Sequence, residues 1–349
     1  MMIKNKKRKN VLIAGIGGAS LGTEIFKSLK LAGKYNIFGA DISPCAYGLY
    51  QEGFTQTYVI DREKYIQDLL KVCKKEKIDA IIPGGEEPLI LLYKNKELFE
   101  KKGVLLAINS TEVIELCTDK MKLFDYLHKQ DIPVPTTRII NNPAVLKDFP
   151  YPCIIKPSTG SGGSVFAYLA EDEKEASLYI DYLKKRNIKA IAQEYIPDTE
   201  GEYTVGILSL PNGELVGSIA LKRLFNAKLS VLMKTKDRVI SSGYSQGLID
   251  DFREIREQAE KIARTLNSRG PMNIQGRAKN SIFYPFEINP RFSATTYLRA
   301  MAGFNEIDMF LEFLFTHKKF SLGKIKHGYY FRSLEEQFVS VKELKNYKI

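Results

Sequence analysis

Between residues 10 and 109 short apolar runs alternate with amphipathic stretches. "NVLIAGIGG", "YNIFGAD", "IDAIIPGGEE" and "GVLLAI" read as buried strands, and apolar residues at helical spacing predict helices near 21–32, 62–76 and 88–101. Buried strands separated by helices imply a parallel sheet with right-handed crossovers, so this part is a doubly wound α/β domain ending near Asn109.

The pattern then changes. "NSTEVIELCTDKMKLFDYLHKQDIPVP" carries helical periodicity from an N-cap at Ser110 or Thr111 until Pro133 and Pro135 end it. "YPCIIKPSTGSGG" is an apolar strand running into glycines, a helix follows near 175–186, and "IKAIAQEYIP" is a further strand. "EYTVGILSLPNGELVGSIALK" reads as a hairpin turning at Pro-Asn-Gly. The charged helix "LIDDFREIREQAEKIARTLN" precedes "PMNIQGRAK" and "FYPFEINPR", two strands joined by "KNS". Hairpins mixed with helices give this part α+β character.

Composition narrows the classes. With 349 residues, 44% hydrophobic and 27% charged, the chain reads as a globular protein of two to three domains. It has no apolar run of about 18 residues and no secretory signal pattern, so a cytoplasmic protein without a membrane span is expected. Four scattered cysteines and three separated histidines suggest neither a disulfide framework nor a zinc site. The net charge of +11 includes five basic residues among the first ten, a solvated arm without interleaved aromatics, so nucleic acid is not an expected partner. The remaining positive charge suits a protein that handles nucleotides or carboxylates.

Four polar constellations stand out. In "YPFEINPRFS", Glu287, Asn289 and Arg291 fall on one strand face, and the preceding strand offers Asn273, Gln275 and Arg277 at the same spacing. If the strands pair, one carboxylate and amide oxygens meet, a donor set for Mg²⁺ that also borrows phosphate oxygens; a solvent-facing hairpin is the alternative. In "CIIKPSTGSGGS", Lys156 stands at the root of a glycine-rich loop able to cover an anion, though not as a Walker A motif. "AQEYIPDTEGEYTV" places Glu194, Ile196 and Glu202 along a strand and its following acidic loop, a place for a nucleobase edge and ribose hydroxyls or simply a solvated turn. "GIGGASLG" with Asp41 is an imperfect dinucleotide fingerprint, and also fits any tight strand-to-helix turn.

The order and spacing of "TDKM", "IIKPSTGSGG", "QEYIPDTEGEYTV", "NIQ" and "FEINPRFS" behind a doubly wound domain resemble the ATP-grasp superfamily. The branch resembled is that of the carbamoyl-phosphate synthetase large chain and stand-alone carboxylate-amine ligases, over residues 10 to 315. The resemblance implies a doubly wound pre-ATP-grasp domain (1–109), an ATP-grasp subdomain with a glycine-rich lid (110–190), a second subdomain with the metal site (191–320) and a C-terminal extension (321–349). It further implies that Lys120 and Lys156 contact ATP phosphates and that residues 159–164, with Ser161, Gly162 and Gly163, close over them. Glu194 and Ile196 then meet adenine and Glu202 the ribose, with Glu200 a competitor. Glu287, Asn289 and Gln275 hold Mg²⁺ or Mn²⁺, Arg291 neutralises the transferred phosphoryl group, and Lys222 or Arg223 contacts substrate or phosphate.

The chemistry implied is ATP-dependent carbon-nitrogen bond formation between a small carboxylate and an amine through an acyl phosphate, with amino acids among the candidate substrates. Glu86 or Glu87 could bind a substrate ammonium group, or could stabilise a helix N-terminus. A homodimer is the family-level expectation. Alternatives are a kinase or carboxyphosphate-forming enzyme on the same ATP site, an NAD-dependent oxidoreductase resting on residues 10–41, and a nucleotide-binding regulator.

Overall fold

The computed structural model describes residues 8–18, 20–140, 143–159, 166–226, 228–235, 238–318, 320 and 322–345. The first apolar runs form a parallel sheet of β1 (Lys9–Ala14), β2 (Tyr35–Asp41), β3 (Gln56–Val59), β4 (Ala80–Pro83) and β5 (Leu105–Leu106), in the order β3-β2-β1-β4-β5. Residues 11–14 and 80–82 are wholly inaccessible, as continuous apolar strands covered on both faces require. The connecting helices are α1 (Leu21–Ala32), α2 (Tyr65–Glu76), α3 (Glu86–Lys94) and α4 (Lys96–Glu100). The helix expected over 88–101 is thus two, broken at Asn95, whose side chain donates to Leu91 O (2.9 Å). Strand order reverses between β1 and β4. There a Cβ on Gly84 would stand 1.8 Å from Gly15 O, so the two turns can approach only as glycines.

The next residues form α5 (Thr111–Thr118), α6 (Lys120–Lys129), β6 (Thr137–Ile139), β7 (Cys153–Pro157), β8 (Tyr168–Ala170), α7 (Glu173–Lys184) and β9 (Ala190–Glu194). The strands make an antiparallel sheet, β6-β9-β7-β8, and Ala176 and Leu183 of α7 pack on its Cys153, Ile155 and Ala192. The single helical stretch expected after Ser110 is interrupted at Asp119. Its backbone is extended and its carboxylate accepts from Met121 N and Lys122 N (both 3.1 Å), starting a second helix at Lys120.

Beyond these lie β10 (Glu202–Ser209), β11 (Leu215–Arg223), β12 (Val231–Lys234), β13 (Val239–Ser241), β14 (Gly247–Asp250), α8 (Arg253–Thr265), β15 (Pro271–Lys279) and β16 (Ile282–Asn289). With β17 (Gly328–Tyr330) they build a six-stranded antiparallel sheet, β16-β15-β10-β11-β14-β17, and a small β12-β13 ribbon. The amphipathic α8 buries Ile255, Ala259 and Ile262 against Val205, Met272 and Ile274 of this sheet.

Two compact units result. One contains residues up to 109, 291–325 and from 332 onward; the other contains 110–290 and 326–331. The division therefore differs from that expected at 320. After Pro290 the chain makes α9 (Thr296–Met301) and α10 (Glu306–Thr316) within the first unit, where Asn305 donates to Ser28 O (2.9 Å) and Arg332 pairs with Glu24 (3.3 Å). The expected extension from 321 is divided as well, since β17 pairs with β14 in the second unit. Among the described residues no helix is long and apolar enough to cross a membrane.

Candidate active site

A cleft in the second unit is lined by Lys120, Lys156, Glu194, Glu202, Arg277 and Glu287, with an apolar wall that includes Ile154, Ile196, Ile240 and Phe286. Antiparallel pairing of β15 with β16 sets Gln275 opposite Glu287 and Asn273 opposite Asn289. The Gln275 amide donates to Glu287 Oε2 (2.9 Å), so the two polar strand faces do coincide. Asn289, two residues on, is buried at the end of β16. Arg291 does not share that strand face. Pro290 offers no N–H, β16 stops before it, and the guanidinium donates to Phe292 O (3.0 Å) in the first unit.

Lys156, near the end of β7, donates to Gln193 Oε1 (2.8 Å) and Phe286 O (3.0 Å). Burial, and then the nearby Lys120, push its ammonium down to about 7, against the pull of Glu287. Lys120 is in the cleft because α6 begins at it: its N–H donates to Ser158 O (3.2 Å), tying the helix start to the end of β7. Residues 160–165, among them Ser161, Gly162 and Gly163, lie outside the described residues.

Glu194 ends β9 with Oε2 accepting from Thr136 N (3.2 Å), and Ile196 is buried beside it in the cleft. Of the two candidate ribose acids, Glu200 is exposed and accepts from Asn280 N (2.5 Å) and Ser281 N (3.0 Å), fastening the turn between β15 and β16. Those N–H groups hold its carboxyl below the usual range. Glu202 lines the cleft and is wholly buried, Oε1 accepting from Arg223 (3.0 Å) and Oε2 from Arg277 (2.9 Å).

These two arginines fasten backbone as well as charge. Arg277 donates to Ile196 O (2.7 Å) and Val239 O (2.6 Å) and lies over the Tyr195 ring at 4.6 Å. Arg223 donates to Ser242 O (2.7 Å), Tyr244 O (3.2 Å) and Gln275 Oε1 (3.3 Å). Arg223, a candidate for substrate contact, is therefore engaged inside the sheet, while Lys222 holds its ammonium 5.7 Å from the Tyr203 ring. Arg277 has the more direct place in the cleft. Its signal in the sequence was its i+2 spacing from Gln275, which placed it on the polar face without a role.

The donor set also bears on the metal. Among the described residues no cluster of three or more His, Cys, Asp or Glu side chains is placed to hold an ion. One carboxylate, Glu287, with its amide neighbours Gln275 and Asn289 fits a hard divalent ion that keeps waters and takes phosphate oxygens as ligands. In the first unit, Asp41 has a structural duty at the first strand-to-helix turn. Its oxygens accept from Ile16 N (2.7 Å) and Ser43 N (3.0 Å), so it braces the glycine turn.

The family whose description reads "ATP-grasp domain" matches residues 117–295, just over half the chain, and "PylC-like, N-terminal domain" matches residues 11–107. The chain belongs to the ATP-grasp family. It is 27% identical over 259 residues to the carbamoyl phosphate synthase large chain of Thermoplasma acidophilum, covering 68% of this chain and 23% of that one. Against the same protein of Thermotoga petrophila it is 24% identical over 322 residues, 86% of this chain and 29% of the other. The chain thus spans less than a third of the length of these relatives. Among solved structures, the L-amino acid ligase of Bacillus licheniformis superposes with a TM-score of 0.66 at 16% identity, over 89% of this chain and 75% of that one. The biotin carboxylase domain of the Hydrogenobacter thermophilus 2-oxoglutarate carboxylase, in complex with MgADP and bicarbonate, gives 0.67 at 16%, over 93% and 73%. At such identities the likeness speaks for the fold.

Proposed function

We propose that the protein is an ATP-dependent carboxylate-amine ligase. The observation that carries this is one cleft holding two lysines, Lys120 and Lys156, the Glu287 carboxylate with its Gln275 partner, and the Glu194–Ile196 segment against an apolar wall. Two cations for phosphates, a carboxylate for a phosphate-borne divalent ion and an apolar slot beside backbone polar groups are the parts phosphoryl transfer from ATP needs.

A substrate carboxylate oxygen attacks the γ-phosphorus and the bond to the β-phosphate oxygen breaks, giving an acyl phosphate and ADP. An amine then attacks the carbonyl carbon, the carbon–oxygen bond to phosphate breaks, the amine loses a proton, and an amide remains. Lys120 and Lys156 hold phosphate oxygens and offset charge on the transferred group. Glu287, Asn289 and Gln275 would hold Mg²⁺ or Mn²⁺, which when bound offsets the charge of the nucleotide phosphates. The biotin carboxylase domain in complex with MgADP and bicarbonate suggests a second version in which bicarbonate is the carboxylate.

Purified protein incubated with ATP, Mg²⁺, hydroxylamine and a pool of carboxylic acids is expected to release ADP and form one hydroxamate, its mass naming the acid. Both products should fall at least a hundredfold in Glu287→Ala, the scale of losing a group that stabilises transition-state charge. ADP release that depends on bicarbonate without any hydroxamate would select the second version. Absence of ADP under all conditions would refute both.

A further inference from the structure

A second cavity, of about 220 Å³, lies entirely within the first unit at the carboxyl ends of β1, β2 and β4. It sits where the strand order reverses, the place at which open parallel sheets receive ligands. Gly17, Asp41, Arg62, Tyr65, Glu87 and Leu91 are among its lining residues. Tyr65, the first residue of α2, is only 7% exposed, and its hydroxyl has no hydrogen-bond partner. A buried phenol without a partner is costly, and native proteins rarely leave one so unless a ligand or water answers it.

The surrounding groups define what could answer it. The Asp41 carboxyl is fixed in place, each oxygen accepting from a backbone N–H and still able to accept more. Besides burial, Asp41 and Glu87 are the groups that raise the Tyr65 pKa, which places both carboxylates near the hydroxyl. Glu87 pairs with Arg62 (2.9 and 3.1 Å), but both side chains are some three-fifths exposed, so the pair is cheap to open and can present either charge. The N-termini of α1 and α3 face this end of the sheet and add positive potential. One cavity thus holds carboxylates able to receive a cation and, beside them, a hydroxyl and a guanidinium able to donate to an anion.

We propose that this cavity binds a free α-amino acid as its zwitterion. The ammonium group lies between the Asp41 and Glu87 carboxylates, and the carboxylate accepts from the Tyr65 hydroxyl and the Arg62 guanidinium. As a binding site this stands independently of the ligase function proposed above.

Isothermal titration calorimetry of the full chain without ATP, using single α-amino acids, separates the two. At least one amino acid should bind, about fivefold to tenfold weaker in Tyr65→Phe, the scale of one hydrogen bond lost at a buried donor. Glu87→Gln, at an exposed position, should also weaken it, and Glu287→Ala should leave it unchanged. The N-acetylated amino acid and the corresponding amine without its carboxylate should each bind at least tenfold more weakly. An unchanged thermal midpoint in Tyr65→Phe shows that the fold is intact; should it fall, Glu87→Gln decides. Failure of every amino acid to bind, or equal binding by both variants, overturns the site, even if ADP and hydroxamate form. Binding that depends on Tyr65 and Glu87, without ADP formation when ATP, Mg²⁺ and carboxylic acids are added, keeps the site and rejects the ligase.

Discussion

Lys156 shows what one buried charge does to both stability and binding. In the unfolded chain its ammonium titrates near 10.5; in the folded chain burial and Lys120 bring it to about 7. Between these values the unfolded state holds the extra proton, so stability rises with pH from about 7 towards 10, and below 7 the cost of burying the charge is constant. Nucleotide phosphates would restore the charge. Binding ATP at pH 8 should therefore take up most of a proton, and affinity should fall as pH rises above 7, by at most about tenfold per unit for one site. Calorimetry at pH 8 in two buffers of different ionisation enthalpy reads the uptake directly. A value near zero, or an uptake that survives in Lys156→Met, would remove this lysine from the phosphate site. Its position was legible because a lysine closing an apolar strand before glycines is rare and local. The depressed pKa was not, since Gln193, Phe286 and Lys120 reach it only in the folded chain.

At the scale of elements, legibility followed the range of the interactions. β15 and β16 could be paired from the sequence because only Asn280 and Ser281 join them and alternation fixes their faces. The break at Asp119 was missed because apolar periodicity continues through it, while the capping that makes it depends on one side chain turning back on its own backbone. Glu202 is the clearest long-range case, joining β10 to β11 and β15 through Arg223 and Arg277, 21 and 75 residues away. Removing that carboxylate leaves two arginines buried side by side. Glu202→Ala should destabilise the second unit by ~3–5 kcal/mol, the cost of breaking a buried ion pair, measured by urea unfolding. A ribose contact without structural duty would instead weaken ATP binding and leave the unfolding midpoint in place. A loss under about 1 kcal/mol, the range of exposed pairs, would show that water or local rearrangement replaces the carboxylate.

For the molecule as a whole, the linear order of motifs misled in one respect: residues after Pro290 complete the first unit rather than the second. The reason lies in α1, which buries Glu24 and Ser28 as well as Ile25 and Leu29. Polar positions on a helix normally mark its solvent face, so the sequence suggested a finished domain at Asn109. Here those positions are covered. Ser28 O takes the Asn305 amide, Glu24 takes Arg332, and Asp308 accepts from the Tyr35 hydroxyl (2.7 Å) and pairs with Lys34 (2.9 Å). Phe292, Phe304 and Phe310 are buried in the same unit. A chain ending at Asn109 therefore keeps its parallel sheet but exposes one side of α1 together with the surface that covers these aromatics. It should lack a cooperative thermal transition by circular dichroism, or melt well below the first unit of the full chain, and should associate in solution. Adding residues 291–349 as a separate polypeptide should restore the transition, because the contacts it supplies are side-chain hydrogen bonds and apolar packing that need no covalent link. A 1–109 chain that melts cooperatively at the full-length temperature would show that the C-terminal segment only decorates a domain already complete.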